Sequence, residues 1–391
     1  MRKLLIALCM VCLVSLCSSV NIFANTQDIR VGLFFDIKNG CVDSQYTQFT
    51  ISSNEGLQIK KCDDLSDLNC DEISIHKIDN QRKIVAYKDN EFIVARDDEY
   101  LEIVPKDGLF KINNDDSKIY RGSLIVNNIS DSQFALINKL NLEEYLYGVV
   151  EKEIGSYAPK EAIKAQAVAA RTYAISHIGM FSKYGFDVTD SKYQQVYKGY
   201  STEKDNVNTA VDETCGLVMY YNNIPIRAFY FASSGGKTEN SENVWNSPIP
   251  YLVSVLDEYE INRRETSRWI VEFTKEQIEG MLANRNIVIG DLLDIQITKR
   301  SESGRVLELQ YIGTTDTYTR TKNDVRLPLN LKSQWFWIEK ENDVYKFCGK
   351  GNGHGVGLSQ VGAMGMADAG FGFLDILTHY FTGIEIKNVQ Q

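Results

Sequence analysis

The stretch from Asn141 to Ile178, NLEEYLYGVVEKEIGSYAPKEAIKAQAVAARTYAISHI, constrains this chain more than any other. Leu142, Tyr145, Leu146 and Val149 fall at i, i+3, i+4 and i+7, one apolar helical face. A second helix is predicted to start at Pro159, where a first-turn residue needs no N–H partner. From Ala162 to Ala174 it is so rich in alanine that no face is strongly polar, as in a helix buried all round. Arg171 lies inside that run, and a guanidinium so enclosed requires a carboxylate or another acceptor. The linker before the helix carries two acids, Glu151 and Glu153. Strand-like segments precede and follow this core. The expected fold is therefore α+β: mixed β-sheets around a buried Ala-rich central helix, with a C-terminal helical cap.

A chain of 391 residues holds one large domain or two ordinary ones. Its net charge of −10 argues against nucleic acid as a partner and gives no attraction to anionic lipids or wall polymers. Residues 1–24 read as an export signal: Arg2 and Lys3, an apolar run to Val20, then Ile22-Phe23-Ala24. Cleavage after Ala24 and retention as an N-terminal membrane anchor are both open, and either puts the protein in the cell envelope outside the cytoplasm. Of eight cysteines, Cys9, Cys12 and Cys17 belong to this segment. The odd remainder, Cys41, Cys62, Cys70, Cys215 and Cys348, has no CxxC pair and fits neither a disulfide framework nor a zinc finger. A local Cys62–Cys70 bridge competes with free, packed thiols.

Residues 25–120 form a β-rich region, with IRVGLFFDI, TQFTIS, LQIKK, RKIVAYK and EFIVAR as strands. Residues 121–391 form the remaining core. KIYRGSLIVNN and FALINKLN pair across a turn near Asn128–Ser132. GLVMYYNNIPIRAFYF turns at Asn222-Asn223, where asparagine tolerates left-handed geometry. Trp245 and Tyr251 are candidate sugar-stacking residues, and equally good core material. A short helix after Lys275 precedes the hairpin DIQITKR–SESG–RVLELQY. GKGNGHGVGLSQVGAMGMADAG matches no nucleotide-binding pattern; its glycines suit close backbone approach before a helix capped by Ser359. Neither Ser233 nor Ser234 lies in a nucleophile elbow or has a signalled base.

YLYGVVEKEI followed by PKEAIKAQAVAARTYAI resembles the stage II sporulation protein D family, the SpoIID/LytB domain. IRVGLF, YRGSL, LNLEEYLYGVV and GHGVGLSQVGAMGMA extend the resemblance over most of the chain. It implies that Glu153 is the catalytic carboxylate, with Glu151 the lesser candidate, and that Arg171 is the family's helical arginine. Arg171 pairs with Glu153 or binds a substrate carboxylate or acetamido oxygen. A tight pair would weaken an acid role, because a nearby cation lowers a carboxyl pKa.

Several members carry Cys and His, thought to hold zinc, within DVTDSKYQQVYKGYS and AFYFASSGGKTE. This chain has Tyr193, Gln194, Phe231 and Ser234 there, so neither metal nor another cofactor is expected. The retained QVY (Gln195, Val196, Tyr197) and SSGGKTE (Ser233 to Glu239, including Ser234) suit a sugar-binding groove, against an ordinary strand end and turn. His354 is either a groove residue or a hydrogen-bonded structural histidine. The reaction implied is lytic transglycosylation of peptidoglycan glycan strands at engulfment, during sporulation. The alternatives are a non-catalytic enhancer of a wall amidase and a spore-envelope scaffold, with an amidase or another engulfment protein as partner. The geometric expectation is that Glu153, Arg171 and His354 line one cleft, with SSGGKTE on its opposite wall.

Overall fold

Alternation builds the first sheets. In Gln48–Ser52 and Glu72–Ile78 the pairs Phe49–Ile75 and Ile51–Ile73 lie opposite one another and are buried. The computed structural model describes residues 27–389 except 38–39, 43–47, 62–63, 79–82, 89–90, 96–100, 131–132, 246 and 261–266. Residues 1–24, expected to be an export signal or anchor, Cys62 and the tip of the 128–132 turn lie outside the described residues.

A six-stranded sheet runs in the order Ile119–Arg121, Leu109–Ile112, Gln48–Ser52, Glu72–Ile78, Lys83–Lys88, Glu91–Ala95. A seven-stranded sheet runs Val188–Thr189, Asp28–Leu33, Gln133–Asn141, Ser123–Ser130, Leu101–Pro105, Leu57–Lys61, Asp64–Asp67. Both contribute to one apolar core, and the Phe49 and Phe134 rings stack within it, 6.4 Å apart. Asp28–Leu33 pairs antiparallel with Gln133–Asn141 and parallel with Val188–Thr189. Strands from either side of residue 120 thus share one sheet.

The second sheet delivers the chain into α1 (Leu142–Glu153), capped by Asn141, whose side chain accepts the Glu143 N–H at 2.9 Å. Gly155 ends the helix in left-handed geometry, φ +80°, which an L side chain would enter only with strain. α2 (Lys160–Ser176) follows Pro159. Ala162, Ala165, Ala167, Ala169, Ala170 and Ala174 are all inaccessible, so the alanine run is a buried axle as its composition predicts. Around it pack α1, α3 (Asp205–Asp212), the strand Leu217–Tyr221, and two later helices. Asn222 and Asn223 make the expected turn, with φ 52° and 62°.

The chain then enters a second lobe. Arg268–Thr274, Val344–Lys350 and Phe336–Glu341 form one three-stranded sheet; Leu292–Arg300, Val306–Gly313 and Thr317–Thr321 form another, with α4 (Lys275–Ala283) beside them. Trp269, Leu282, Leu309, Tyr311, Phe336 and Phe347 belong to its separate core. Entry and exit touch, since the Gly351 N–H donates to the Ser267 carbonyl at 2.6 Å. The return leg leads into α5 (Gln360–Asp368), capped by Ser359 at the Gly362 N–H (3.2 Å), and α6 (Phe373–Tyr380), which bury Met364, Met366, Ile376 and Leu377 as the helical cap. With 25% helix and 37% strand in separate blocks, the architecture is α+β.

Candidate functional site

A cleft of about 1020 Å³ opens where the end of α1, the strand Tyr230–Phe231 and the turn before α5 meet. Glu153, the last residue of α1, is its lining carboxylate. The Val196 N–H donates to Glu153 Oε1 at 3.0 Å. Burial pushes the carboxyl pKa above its ordinary value, against hydrogen bonds from Val196, Gln360 and Tyr230 that pull it down. No cation is among those opposing groups. The result is a half-buried carboxyl, open to the cleft, whose pKa lies above its ordinary value.

A relay of neutral groups sets its position. Tyr145 Oη donates to Gln195 Oε1 (3.2 Å), and Gln195 Nε2 donates to the Ala170 carbonyl (3.2 Å) and to Tyr230 Oη (3.0 Å). The Tyr230 hydroxyl is thereby left to bond Glu153. Gln360, at the start of α5, also donates to Gln166 on the buried α2 at 3.3 Å.

His354 lines the same cleft. Its Nδ1 accepts the Val356 N–H at 3.1 Å, so Nε2 carries the proton and donates to the Tyr230 carbonyl, also at 3.1 Å. Its ring lies among Phe229, Phe231 and Trp245, at centroid distances of 6.2, 5.3 and 5.3 Å. Burial lowers its pKa to about 4, with Arg326 adding to the effect. The imidazole is a neutral brace holding the turn to the strand behind Glu153. The turn lies flat because Gly357, at φ +81°, would put a Cβ 2.2 Å from the Phe229 carbonyl.

The structure corrects the other expected groove residues. Arg171 is not in the cleft: its Nε donates to Glu143 Oε1 at 2.8 Å, its Nη2 bonds Oε2, and its remaining donors reach the Val211 and Leu217 carbonyls, each at 3.3 Å. The pair joins the start of α1 to the later part of α2. Gln195 is inaccessible and positions Tyr230 instead of lining the cleft. Tyr197 is buried as well, donating to Asn138 Oδ1 at 2.9 Å.

SSGGKTE does not form the opposite wall. The Ser233 hydroxyl donates to Glu260 (2.6 Å), and the Ser234 hydroxyl bonds Asp257 and Glu260, each at 2.7 Å. Glu239 accepts from the Ser301 and Ser303 hydroxyls of the second lobe. Arg305 of that lobe donates to the Ser234 and Thr238 carbonyls at 2.8 and 3.3 Å. The motif is a buried joint between lobes. Glu151 also lies off the cleft, with Oε2 buried and unpartnered.

Tyr173, Tyr230, Arg227 and Gln360 line the cleft but carried no sequence signal beyond their places in family-like runs. Trp245, a stacking candidate, lines it; Tyr251 instead packs on Tyr221 and accepts the Arg227 N–H.

The positions at which relatives are thought to hold zinc do not fit a metal. Gln194 accepts the Thr189 N–H, Phe231 packs on His354, Ser234 is engaged with acids of the joint, and Tyr193 is exposed. Among the described residues no set of three or more His, Cys, Asp or Glu side chains converges on a common point.

A family model described as Stage II sporulation protein matches residues 130–221, and a model of a domain of unknown function matches 251–357. An uncharacterized protein of Brachyspira hyodysenteriae is 34% identical over 268 residues, 68% of this chain and 72% of that one. Stage II sporulation protein D of Bacillus subtilis is 32% identical over 273 residues, 64% of this chain and 76% of its own. The amidase enhancer of Bacillus subtilis is 30% identical over 290 residues, which cover 62% of this chain but 40% of the enhancer. The GVVEKE segment, the buried helix and the cleft thus lie in a chain that belongs to the stage II sporulation protein D family.

Proposed function

We propose that this protein is an exported sporulation protein of the cell envelope whose cleft cleaves peptidoglycan glycan strands as a lytic transglycosylase. The observation that carries the reading is that Glu153 is the one carboxylate among the described residues lining the cleft, with its pKa raised by burial. Glycosidases that use water need two carboxyl groups flanking the bond. A transglycosylase needs one, because the substrate provides the nucleophile.

Protonated Glu153 gives its proton to the glycosidic oxygen between N-acetylmuramic acid and N-acetylglucosamine, and the C1–O bond breaks. The resulting carboxylate takes the proton of the muramyl C6 hydroxyl, whose oxygen bonds C1 and closes the 1,6-anhydro ring. Glu153 ends protonated, ready for another cycle. Tyr230, Gln360 and the Val196 N–H keep the carboxyl in place through both proton transfers. The aromatic wall of Trp245, Phe229 and Tyr173 offers sugar rings flat apolar surface.

The test is mass spectrometry of glycan strands incubated with the purified protein. Anhydro-muramyl ends are expected, and their absence under conditions where strands bind overturns the reading. A second reading, a non-catalytic activator of a wall amidase, is favoured by similarity to the amidase enhancer. It predicts stimulation of an amidase with no new glycan ends.

A further inference from the structure

We propose that Arg227 forms an anion-recognising subsite in the cleft that Glu153 lines, built to take a carboxylate carried on a substituent of the bound glycan. The inference rests on the glycan-cleft reading and adds to it a specificity-determining residue. A second cavity of about 580 Å³, walled by Ser176, His177, Met180 and Phe181, adjoins the cleft. The two share Tyr173, Tyr193, Gln194, Arg227 and Phe229 and so form one continuous groove.

The charge of this groove runs against that of the molecule. The chain carries −10, yet among the described residues those with charge along the groove are one carboxylate, Glu153, and two cations, Lys192 and Arg227. Other arginines of this lobe are matched to acids: Arg30 to Asp187, Arg121 to Glu203 and Arg171 to Glu143. Among the described residues Arg227 has no such partner, and its side chain is exposed.

Its backbone is nevertheless fixed. Ile226 and Ala228 on either side are buried, the Ile226 N–H bonds the Met219 carbonyl, the Arg227 N–H bonds Tyr251 Oη at 3.1 Å, and the Arg227 carbonyl accepts the Phe229 N–H. Beside it the rings of Tyr173 and His177 stack on each other, 3.9 Å apart at 18°, and wall the groove. A guanidinium on a connecting segment whose backbone is held by hydrogen bonds, facing open groove and lacking a carboxylate of its own among the described residues, matches the two oxygens of a ligand carboxylate. On a glycan strand that carboxylate is either the lactyl group of muramic acid or a group of the stem peptide attached to it.

Binding is measured on the full chain carrying Glu153→Gln, to prevent turnover, with three probes. They are strands of alternating N-acetylglucosamine and N-acetylmuramic acid with free lactyl groups, the same strands bearing stem peptides, and chito-oligosaccharides of equal length, which lack carboxylates. Arg227→Gln is expected to weaken binding of a carboxylate-bearing probe about tenfold and leave the chito-oligosaccharide unchanged. Arg227→Lys, which keeps the charge and loses the fork, falls between. The probe that suffers, lactyl or peptidyl, identifies the source. Equal loss on all three probes, or loss on none, overturns the subsite. If Arg227-dependent binding is found but the Glu153-containing protein cuts no strand, the subsite stands and the cleavage reading falls. If strands are cut and Arg227→Gln changes no affinity, the reverse holds. Failure of every probe to bind the Arg227-containing protein overturns both.

Discussion

Glu143, in the first turn of α1, and Glu153, its last residue, occupy opposite ends of one helix. At the first end, free N–H groups and the helix dipole favour an anion, and Arg171 meets Glu143 with two hydrogen bonds. At the other end the dipole disfavours an anion, no cation hydrogen-bonds Glu153 among the described residues, and burial raises its pKa. One helix therefore carries one carboxylate matched to a buried guanidinium and another whose pKa burial raises above its ordinary value. The difference shows how the acid role escapes the conflict expected from a neighbouring arginine: the arginine is spent at the far end of the helix.

Arg171→Ala should give the largest effect. It leaves Glu143 buried and unpaired, at a cost of about 3–5 kcal/mol, read as a lower denaturation midpoint. If Arg171→Ala instead abolished turnover with stability intact, the assignment of the two ends would be reversed. Glu153→Gln should reduce strand cleavage by about 10² or more with stability and glycan binding preserved. Normal turnover in that variant would remove Glu153 from the chemistry.

Tyr230→Phe should have a smaller effect. Its hydroxyl favours the Glu153 anion, so its loss raises the Glu153 pKa and shifts the high-pH limb of the rate profile, where the acid is lost, upward. An unmoved limb would show that Tyr230 does not bond the working carboxyl.

His354 has a folded pKa of about 4 against an ordinary 6.5, so it binds fewer protons folded than unfolded in that window. Its contribution to stability is present above 6.5 and lost as pH falls toward 4, so melting temperature should drop across that range. His354→Asn should flatten this slope, and an unchanged slope would contradict the neutral-brace role. The smallest expected effect is none: chelators should leave cleavage unchanged, and elemental analysis should find no stoichiometric zinc. One tightly held zinc per chain would refute this.

The sequence made the buried helix legible because alanine in every register leaves no solvent face. Glu153 and His354 were legible only through family resemblance, and the structure places both at one cleft. Arg171 was misjudged because chain proximity pointed to Glu153. Two helices joined by a short link run antiparallel, which brings the start of α1 beside the later part of α2 and so selects Glu143. SSGGKTE was misjudged for another reason: serines and paired glycines suit a sugar groove and a buried joint equally well. Asp257, Glu260 and Arg305 decide between these, and all are remote in sequence. The neutral relay through Gln195 was illegible because glutamine carries no charge signature.

The touching ends of the second lobe bear on the order of folding. Glu153 and Phe231 precede the lobe in the chain, whereas His354 and Gln360 follow it. Bringing the two groups together requires closing a loop that spans the whole lobe, at an entropic cost that rises with the length of flexible chain. A lobe that condenses on its own apolar core, with Gly351 hydrogen-bonded to Ser267, converts that long coil into a short rigid tether. The groove proposed for catalysis is then completed by residues on both sides of a lobe that, among the described residues, contributes none to the lining of the Glu153 cleft.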